Sequence, residues 1–376
     1  MPVRIEKLSG TAFLAFPGLY EYLVSELHGR FAVDISAVKN GETHNVSALC
    51  ESAHVVRYGD LLYVPNMRRN QSLCECPSAE SMLDGVRTDA FTSLYDAASP
   101  RMSATHDNHP YFCRCAMTEP FLLYFDSIRD AANALKTMQR NWAPYTYQLF
   151  RRSALIQERL PYVNLKTRLF PCHVPSSPIG LYTLLDEHII LASAATTSFL
   201  PAGAVQFEEN HTEPPSRAYL KLQEALTMMQ LLFDAPLPQS GQRCFDAGAS
   251  PGGWTWLVTQ LGCSVIAVDR APLAPALMAH SLVSFRQHDA FTIPPADIGV
   301  CDWVFSDVIC YPERLYDWIQ TWLASGLAKN MICTIKMQGA VDWKLIDKFA
   351  AFPHSRVVHL NYNKHELTWL YCGIEI

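Results

Sequence analysis

The sequence predicts an α/β fold, with a doubly wound sheet in the C-terminal part and an α+β region before it. Three observations carry this reading. After residue 216, short apolar runs of strand character alternate with stretches of helical periodicity. Three of those runs end in or lead to an acidic residue, Asp246, Asp269 and Asp289, and the carboxyl edge of an open α/β sheet is where ligands bind. The first run is followed by a turn poor in side chains, within Cys244–Thr255 (CFDAGASPGGWT).

From the N-terminus, Thr11–His28 reads as a short strand, a Pro17-Gly18 turn and an amphipathic helix over Tyr20–Leu27. Ala32–Val38 and His54–Val64 have strand character, so residues 1–65 are expected to form an α+β subdomain. Arg68–His109 is rich in Ser, Asp, Asn and Pro, which predicts loops and short helices. Asp126–Trp142 has helical spacing, with Arg151, Arg152 and Arg159 on a following element. Gly180–Ala192 (GLYTLLDEHIILA) reads as paired strands turning at Asp186 and Glu187. These elements are grouped as a second region, 66–205, and Pro201–Pro215 is the best linker, placing the last domain at 216–376.

In that domain a helix is expected to open with Ser216 as N-cap and to carry an apolar stripe of Tyr219, Leu220, Leu222, Leu226 and Met229. Strands are expected near Arg243–Asp246, Ser264–Asp269, Leu282–Arg286, Trp303–Asp307, Met331–Lys336, Arg356–Asn361 and Thr368–Ile374. The last two runs have no helix between them and should form an antiparallel pair at one edge.

Composition bounds the function. The chain has 376 residues, 49% of them hydrophobic and 18% charged, enough for two or three domains with ordinary cores. No apolar stretch approaches the roughly 20 residues of a membrane span, and the start MPVRIEKLSG lacks a signal-peptide pattern. Twelve scattered cysteines fit a reducing compartment, so a cytoplasmic protein is expected. The net charge of −6 argues against a wholly basic nucleic-acid binder, but Arg129–Arg168 holds eight cations against two acids, a local charge of +6. Among those cations lie Trp142, Tyr145 and Tyr147, a mixture suited to stacking on bases over phosphate contacts. Arg140, Arg151, Arg152, Arg159, Lys166 and Arg168 are the candidate RNA contacts; the plain alternative is a solvated helix face.

The turn after Asp246 comprises Gly248, Ala249, Ser250, Pro251, Gly252 and Gly253 and leads into a helix at Trp254 and Thr255. Bare backbone at a helix N-terminus suits a nucleotide. The spacing departs from G-x-G-x-x-G, and no G-K-[ST] follows, which disfavours a dinucleotide and removes a P-loop. Asp269, about 20 residues beyond the first glycine, is placed for ribose hydroxyls, and Asp289 for an exocyclic amine. An adenosine satisfies all three positions.

Two further strand ends are ionisable, Asp307 and Lys336, and a lysine ending a buried strand requires a carboxylate neighbour or a task. Lys221 lies in the helix before the glycine turn and Glu366 in the last hairpin. Two lysines would then alternate with two carboxylates, and Lys221 would depress the pKa of Lys336.

In this order, Lys221, the glycine turn, Asp307, Lys336 and Glu366 resemble the K-D-K-E tetrad of the FtsJ-like ribose 2′-O-methyltransferases; the segments SRAYLKLQEA and DAGASPGGWT carry the match. The resemblance implies a Rossmann-like class I methyltransferase domain, a seven-stranded sheet with an antiparallel last strand, and S-adenosyl-L-methionine as cofactor, with Asp307 contributing to its site. PPSRAYLKLQEAL and the length are similar to the RlmM type, which implies a THUMP-like RNA-binding region over 66–205 and a cytidine ribose of 23S ribosomal RNA, free or in a pre-ribosomal particle, as substrate. Lys336 would act on the 2′-hydroxyl proton, Lys221 and Asp307 would orient the ribose, and Glu366 would support them.

Rival readings are weaker. Amino-group methyltransferases carry D/N-P-P-Y/F where this chain has Asp307-Val308-Ile309-Cys310. A cytosine C5 enzyme needs a nucleophilic thiol, for which Cys310 and Cys333 are the candidates. Cys74 with Cys76, Cys113 with Cys115, and Cys172 beside His173 raise a metal site, but C-x-C is not the usual zinc spacing, and no metal is expected. A non-catalytic RNA-binding or ribosome-assembly factor retaining the fold is the alternative of a different class.

Overall fold

The computed structural model describes residues 3–36, 38–41, 49, 54–67, 109–173 and 179–373. The chain forms two compact units, Met1–Leu165 with Pro175–Ala204, and Lys166–Val174 with Val205–Ile376. The expectations for residues 68–108, including Cys74 and Cys76, lie outside the described residues.

The first unit contains β1 (Arg4–Lys7), β2 (Thr11–Ala15), α1 (Tyr20–Phe31), β3 (Lys39–Asn40), β4 (Val56–Tyr58), β5 (Leu61–Val64), β6 (Cys113–Met117), β7 (Phe121–Tyr124), α2 (Ile128–Met138), β8 (Trp142–Pro144), α3 (Phe150–Gln157), β9 (Gly180–Asp186) and β10 (Ile189–Ser193). They build two five-stranded sheets, ordered β1-β7-β10-β9-β8 and β3-β4-β5-β2-β6. Leu14, Tyr63 and Met117 of one sheet share a core with Leu122, Leu181 and Leu191 of the other. The opposite face of the first sheet packs Leu123 and Tyr182 against Leu135 of α2 and Ile156 of α3. With both its faces covered, that sheet reads as near-continuous apolar runs.

This architecture corrects three expectations. Residues 1–65 are not a subdomain by themselves, because β1 pairs with β7 and β2 with β6, so each sheet takes strands from both sides of residue 65. The described residues of Ala32–Val38 form no strand: α1 runs to Phe31, Ala32 ends it in the left-handed conformation at φ 50°, and β3 begins at Lys39. Trp142 does not end a helix but starts β8, which pairs in parallel with β9.

The second unit contains α4 (Ala218–Phe233), β11 (Arg243–Ala247), α5 (Gly253–Gln260), β12 (Ser264–Asp269), β13 (Val283–Gln287), β14 (Cys301–Ser306), α6 (Pro312–Ser325), β15 (Ala328–Lys336), α7 (Trp343–Ala350), β16 (Ser355–Val358) and β17 (Glu366–Cys372), besides single helical turns. Its seven-stranded sheet has the order β13-β12-β11-β14-β15-β17-β16. Neighbours from β13 to β15 are parallel. β17 inserts between β15 and β16 and is antiparallel to both. Residues 205–215, taken as linker, belong to this unit: Phe207 is buried and bridges Arg168. α4 starts after Arg217, with no side-chain cap, so Ser216 is not its N-cap. A Cβ placed on Gly253 would lie 2.4 Å from Ser216 Oγ, so Ser216 packs directly on the start of α5.

Candidate active site

The chain leaves β11 for β12 on one side and later returns to β14 on the other, which makes the β11–β14 boundary a switch point where an open α/β sheet has a crevice. Ala247 lies opposite Ser306 there, so the glycine turn and Asp307 emerge side by side. A Cβ on Gly248, whose φ is +82°, would come within 2.3 Å of Val308 Cγ2. Glycine is required at this position both by backbone conformation and by the passing chain.

Register brings the tetrad together. Lys336 and Glu366 are direct cross-strand partners on β15 and β17. Lys336 Nζ donates to Asp307 Oδ1 at 2.6 Å and to Glu366 Oε2 at 2.8 Å. Lys221 Nζ, projecting from α4, donates to Asp307 Oδ1 and Oδ2 at 3.1 and 3.3 Å and pairs with Glu366 Oε1. The four groups close an alternating ring of two ammonium and two carboxylate groups. An isolated charge here would be expensive; in the ring each has two opposite neighbours.

The electrostatics correct the expected depression of Lys336. Burial disfavours its ammonium form, but Asp307 and Glu366 outweigh that and raise its pKa above the ordinary lysine value. Burial likewise disfavours the Asp307 carboxylate, yet Lys221 and Lys336 together hold its pKa below the usual range. Charge balance inside the ring dominates over like-charge repulsion between the lysines.

The glycine turn is tied down from two strands. Gly248 and Ala249 N–H groups both donate to Val268 O, at 2.9 and 3.2 Å. Asp269 accepts from Ser250 N–H through Oδ2 at 3.0 Å and from Ala271 N–H through Oδ1 at 2.9 Å. Asp246 is buried, accepts from Thr255 Oγ1 at 2.6 Å, and its pKa is pushed up to about 7, chiefly by burial. Trp254 is also buried and donates its indole N–H to Ala218 O at 2.9 Å, fastening the first turn of α4. Pro251 is exposed on the rim, and Gly252, at φ +114°, precedes α5. Asp289 follows β13; its Oδ2 accepts from Arg270 at 2.5 Å and Arg314 at 3.0 Å, and its Oδ1 accepts from Phe291 N–H at 3.1 Å.

The candidate RNA contacts do not converge in the same way. Arg140, Arg151, Arg152 and Arg159 lie in the first unit, whereas Lys166 and Arg168 lie in the second. Arg140, Arg151, Arg159 and Lys166 are exposed, while Arg168 is half-buried with Nη1 donating to His173 O at 3.2 Å. Arg152 is half-buried, with its guanidinium 5.5 Å from the Phe125 ring centroid. The aromatic residues read as stacking partners are corrected too: Trp142 is fully buried, donating its indole N–H to Leu135 O and Gln139 O, and Tyr145 is buried with its hydroxyl accepting from Asp60 N–H. Each supports the fold of the first unit.

Neither candidate thiol is a poised nucleophile. Burial pushes Cys310 up to about 11, and Cys333 is sealed inside β15 with its pKa raised further by burial. Cys113 and Cys115 are buried on β6, and no group of three or more His, Cys, Asp or Glu able to hold a metal ion occurs among the described residues.

The sequence reading missed Glu224. One turn beyond Lys221 on α4, it is buried and accepts from Asn361 N–H, Asn361 Nδ2 and Tyr362 N–H at 3.0, 2.7 and 3.1 Å. Burial raises its pKa to about 7. It ties the helix bearing Lys221 to the loop that delivers Glu366. A signal was present: Lys221 and Glu224 stand three residues apart, on one side of an otherwise uncharged helix.

The second unit is thus an open α/β domain with a glycine turn at its sheet switch point beside an alternating lysine–carboxylate ring, and comparison gives this region a family match. Residues 214–357 match the FtsJ-like methyltransferase family, so this part of the chain is an FtsJ-like methyltransferase domain. The chain is similar to proteins named ribosomal RNA large subunit methyltransferase M. The relative from Azoarcus sp. strain BH72 is 38% identical over 33% of this chain and 34% of its own length. That from Xanthomonas euvesicatoria pv. vesicatoria is 30% identical over 57% and 58%, and that from Thauera aminoaromatica 32% identical over 51% and 57%, respectively. The match thus spans about a third to three fifths of these relatives. No helix among the described residues is long and apolar enough to cross a membrane.

Proposed function

We propose that the protein is an S-adenosyl-L-methionine-dependent RNA ribose 2′-O-methyltransferase that acts on a cytidine of 23S ribosomal RNA. The observation that carries this is the closed Lys221–Asp307–Lys336–Glu366 ring at the mouth of the glycine turn. The relatives' name supports ribosomal RNA as the substrate class, and the family supports the cofactor.

The turn suits the adenosyl donor: Gly248 leaves no room for a side chain, and Asp269 lies under the Ser250 amide. Asp246, Ala249, Ser250, Pro251, Gly252, Gly253, Trp254 and Thr255 build this cradle, with Asp289 and Asp307 on adjoining edges. When bound, the cofactor supplies a methyl group on a sulfonium, already a strong electrophile. The chain's own task is to align the acceptor oxygen and remove its proton. Lys336 begins as an ammonium, so it must release a proton to solvent before its Nζ accepts that of the 2′-hydroxyl. A further cation next to the ring disfavours the ammonium form and favours that release. Lys221 and Asp307 orient the ribose, and Glu366 holds both amines. The first unit, with the exposed cations Arg140, Arg151 and Arg159, serves as the RNA-engaging, THUMP-like module; Lys166 and Arg168, in the second unit, are further candidate RNA contacts.

The test is an isothermal titration of the protein with S-adenosylmethionine, then transfer of a tritiated methyl group to 23S ribosomal RNA and mapping of ribose methylation. Cofactor binding without transfer to any RNA would favour an assembly factor that retains the fold.

A further inference from the structure

Two large apolar side chains stand in water immediately after Asp307. Ile309 is 82% exposed, the most exposed large apolar residue among those described, and Tyr311 is 66% exposed. They alternate with inward-facing neighbours: Val308 lies against Gly248, and Cys310 is buried. Tyr311 is extended, at φ −65° and ψ 142°, and Pro312 begins α6 directly after it. Ile309 and Tyr311 therefore project from the same side of a short strap anchored at both ends, by the tetrad carboxylate and by a helix. A lone exposed apolar residue needs no explanation, but a paired ledge on a strap that starts at a tetrad carboxylate is placed for a ligand.

We infer that Ile309 and Tyr311 form the platform for the acceptor nucleotide, with Tyr311 stacked on its base and Ile309 packed against the same nucleotide. The inference rests on the RNA-methyltransferase reading and gives that site an acceptor subsite. The chemistry fits: a nucleotide whose ribose must reach Lys336 has to leave its neighbours' stack, and an aromatic face replaces the lost stacking whatever the base. The platform thus orients the nucleotide, while sequence selection lies elsewhere.

The test compares the full-length wild type with Tyr311→Ala, Tyr311→Phe and Ile309→Ala. The readouts are kcat and KM for 23S ribosomal RNA, cofactor affinity by titration, and the peptides crosslinked by RNA carrying 5-iodocytidine at the acceptor position. Tyr311→Ala should raise KM for RNA by about 5- to 150-fold, the range of one base–aromatic stack, with cofactor affinity and melting temperature unchanged. Tyr311→Phe should restore KM, which a role for the hydroxyl would not allow, and Ile309→Ala should have a smaller effect. The crosslink should map to the peptide containing residues 309–311. Normal KM in Tyr311→Ala, or crosslinks that avoid this peptide, would overturn the platform while leaving the methyltransferase reading intact. Crosslinking there without any methyl transfer by the wild type would do the reverse.

Discussion

The tetrad and the basic segment Arg129–Arg168 looked alike as strings of charged residues, and the fold treats them in opposite ways. The tetrad residues are up to 145 positions apart, Lys221 to Glu366, yet they meet within hydrogen-bonding distance. The basic residues are close in sequence but are divided between two units, with their aromatic neighbours Trp142 and Tyr145 taken into the core. Asp307, Lys336 and Glu366 lie at strand ends, and strands in one sheet have fixed neighbours. The basic segment spans a helix, a short strand, another helix and a unit boundary, so nothing local dictates where its side chains gather.

The sharpest way to break this contrast is to remove one charge from each region. Lys336→Ala should lower kcat by about 10²- to 10⁴-fold, the worth of a positioned base, with S-adenosylmethionine affinity nearly intact by titration; loss of both together would make the lysine structural. Trp142→Ala tests the other side: its effect should fall on stability, about 3–5 kcal/mol by chemical denaturation for an emptied aromatic site. An RNA-binding defect in a variant that remains fully stable would return Trp142 to the nucleic-acid surface.

Glu224→Gln places an amide against loop donors that now meet a carboxylate. It should destabilise the second unit by about 1–3 kcal/mol in thermal melts and lower kcat less than Lys336→Ala does. Glu366→Gln sharpens the electrostatics. Lys336 holds its proton more tightly in the fold than in the unfolded chain, so its pairing stabilises fully below the ordinary lysine value and is lost as pH rises through the raised one. Activity that needs the neutral amine should therefore climb with pH in the alkaline range, and Glu366→Gln should shift that limb to lower pH. A shift to higher pH would contradict Lys336 as the proton acceptor. The smallest effect is expected from Arg151→Ala, exposed on α3: the slope of log affinity for RNA against log salt should fall by about 1, whereas Arg152→Ala, half-buried over Phe125, should mainly reduce stability.

The sequence made the second unit readable because hydrophobic period, turn chemistry and strand ends are local properties. Asp246, Asp269, Asp307 and Lys336 could be assigned to one sheet edge from their positions alone, since parallel strands place their carboxyl ends together. The first unit resisted because its two sheets exchange strands across residue 65, and long-range pairing such as β1 with β7 leaves no mark on either segment.

What the amino-acid order determined by itself was the alternation of elements, the glycine turn and the charged residue at each strand end, all consequences of backbone periodicity and steric demand within a few residues. Only the tertiary structure decided that β17 runs between β15 and β16, setting Lys336 opposite Glu366, and that Glu224 reaches Asn361 and Tyr362. It also decided the sign of the Lys336 shift, because a pKa depends on the sum of distances to every neighbouring charge, and those distances exist only once the chain is folded.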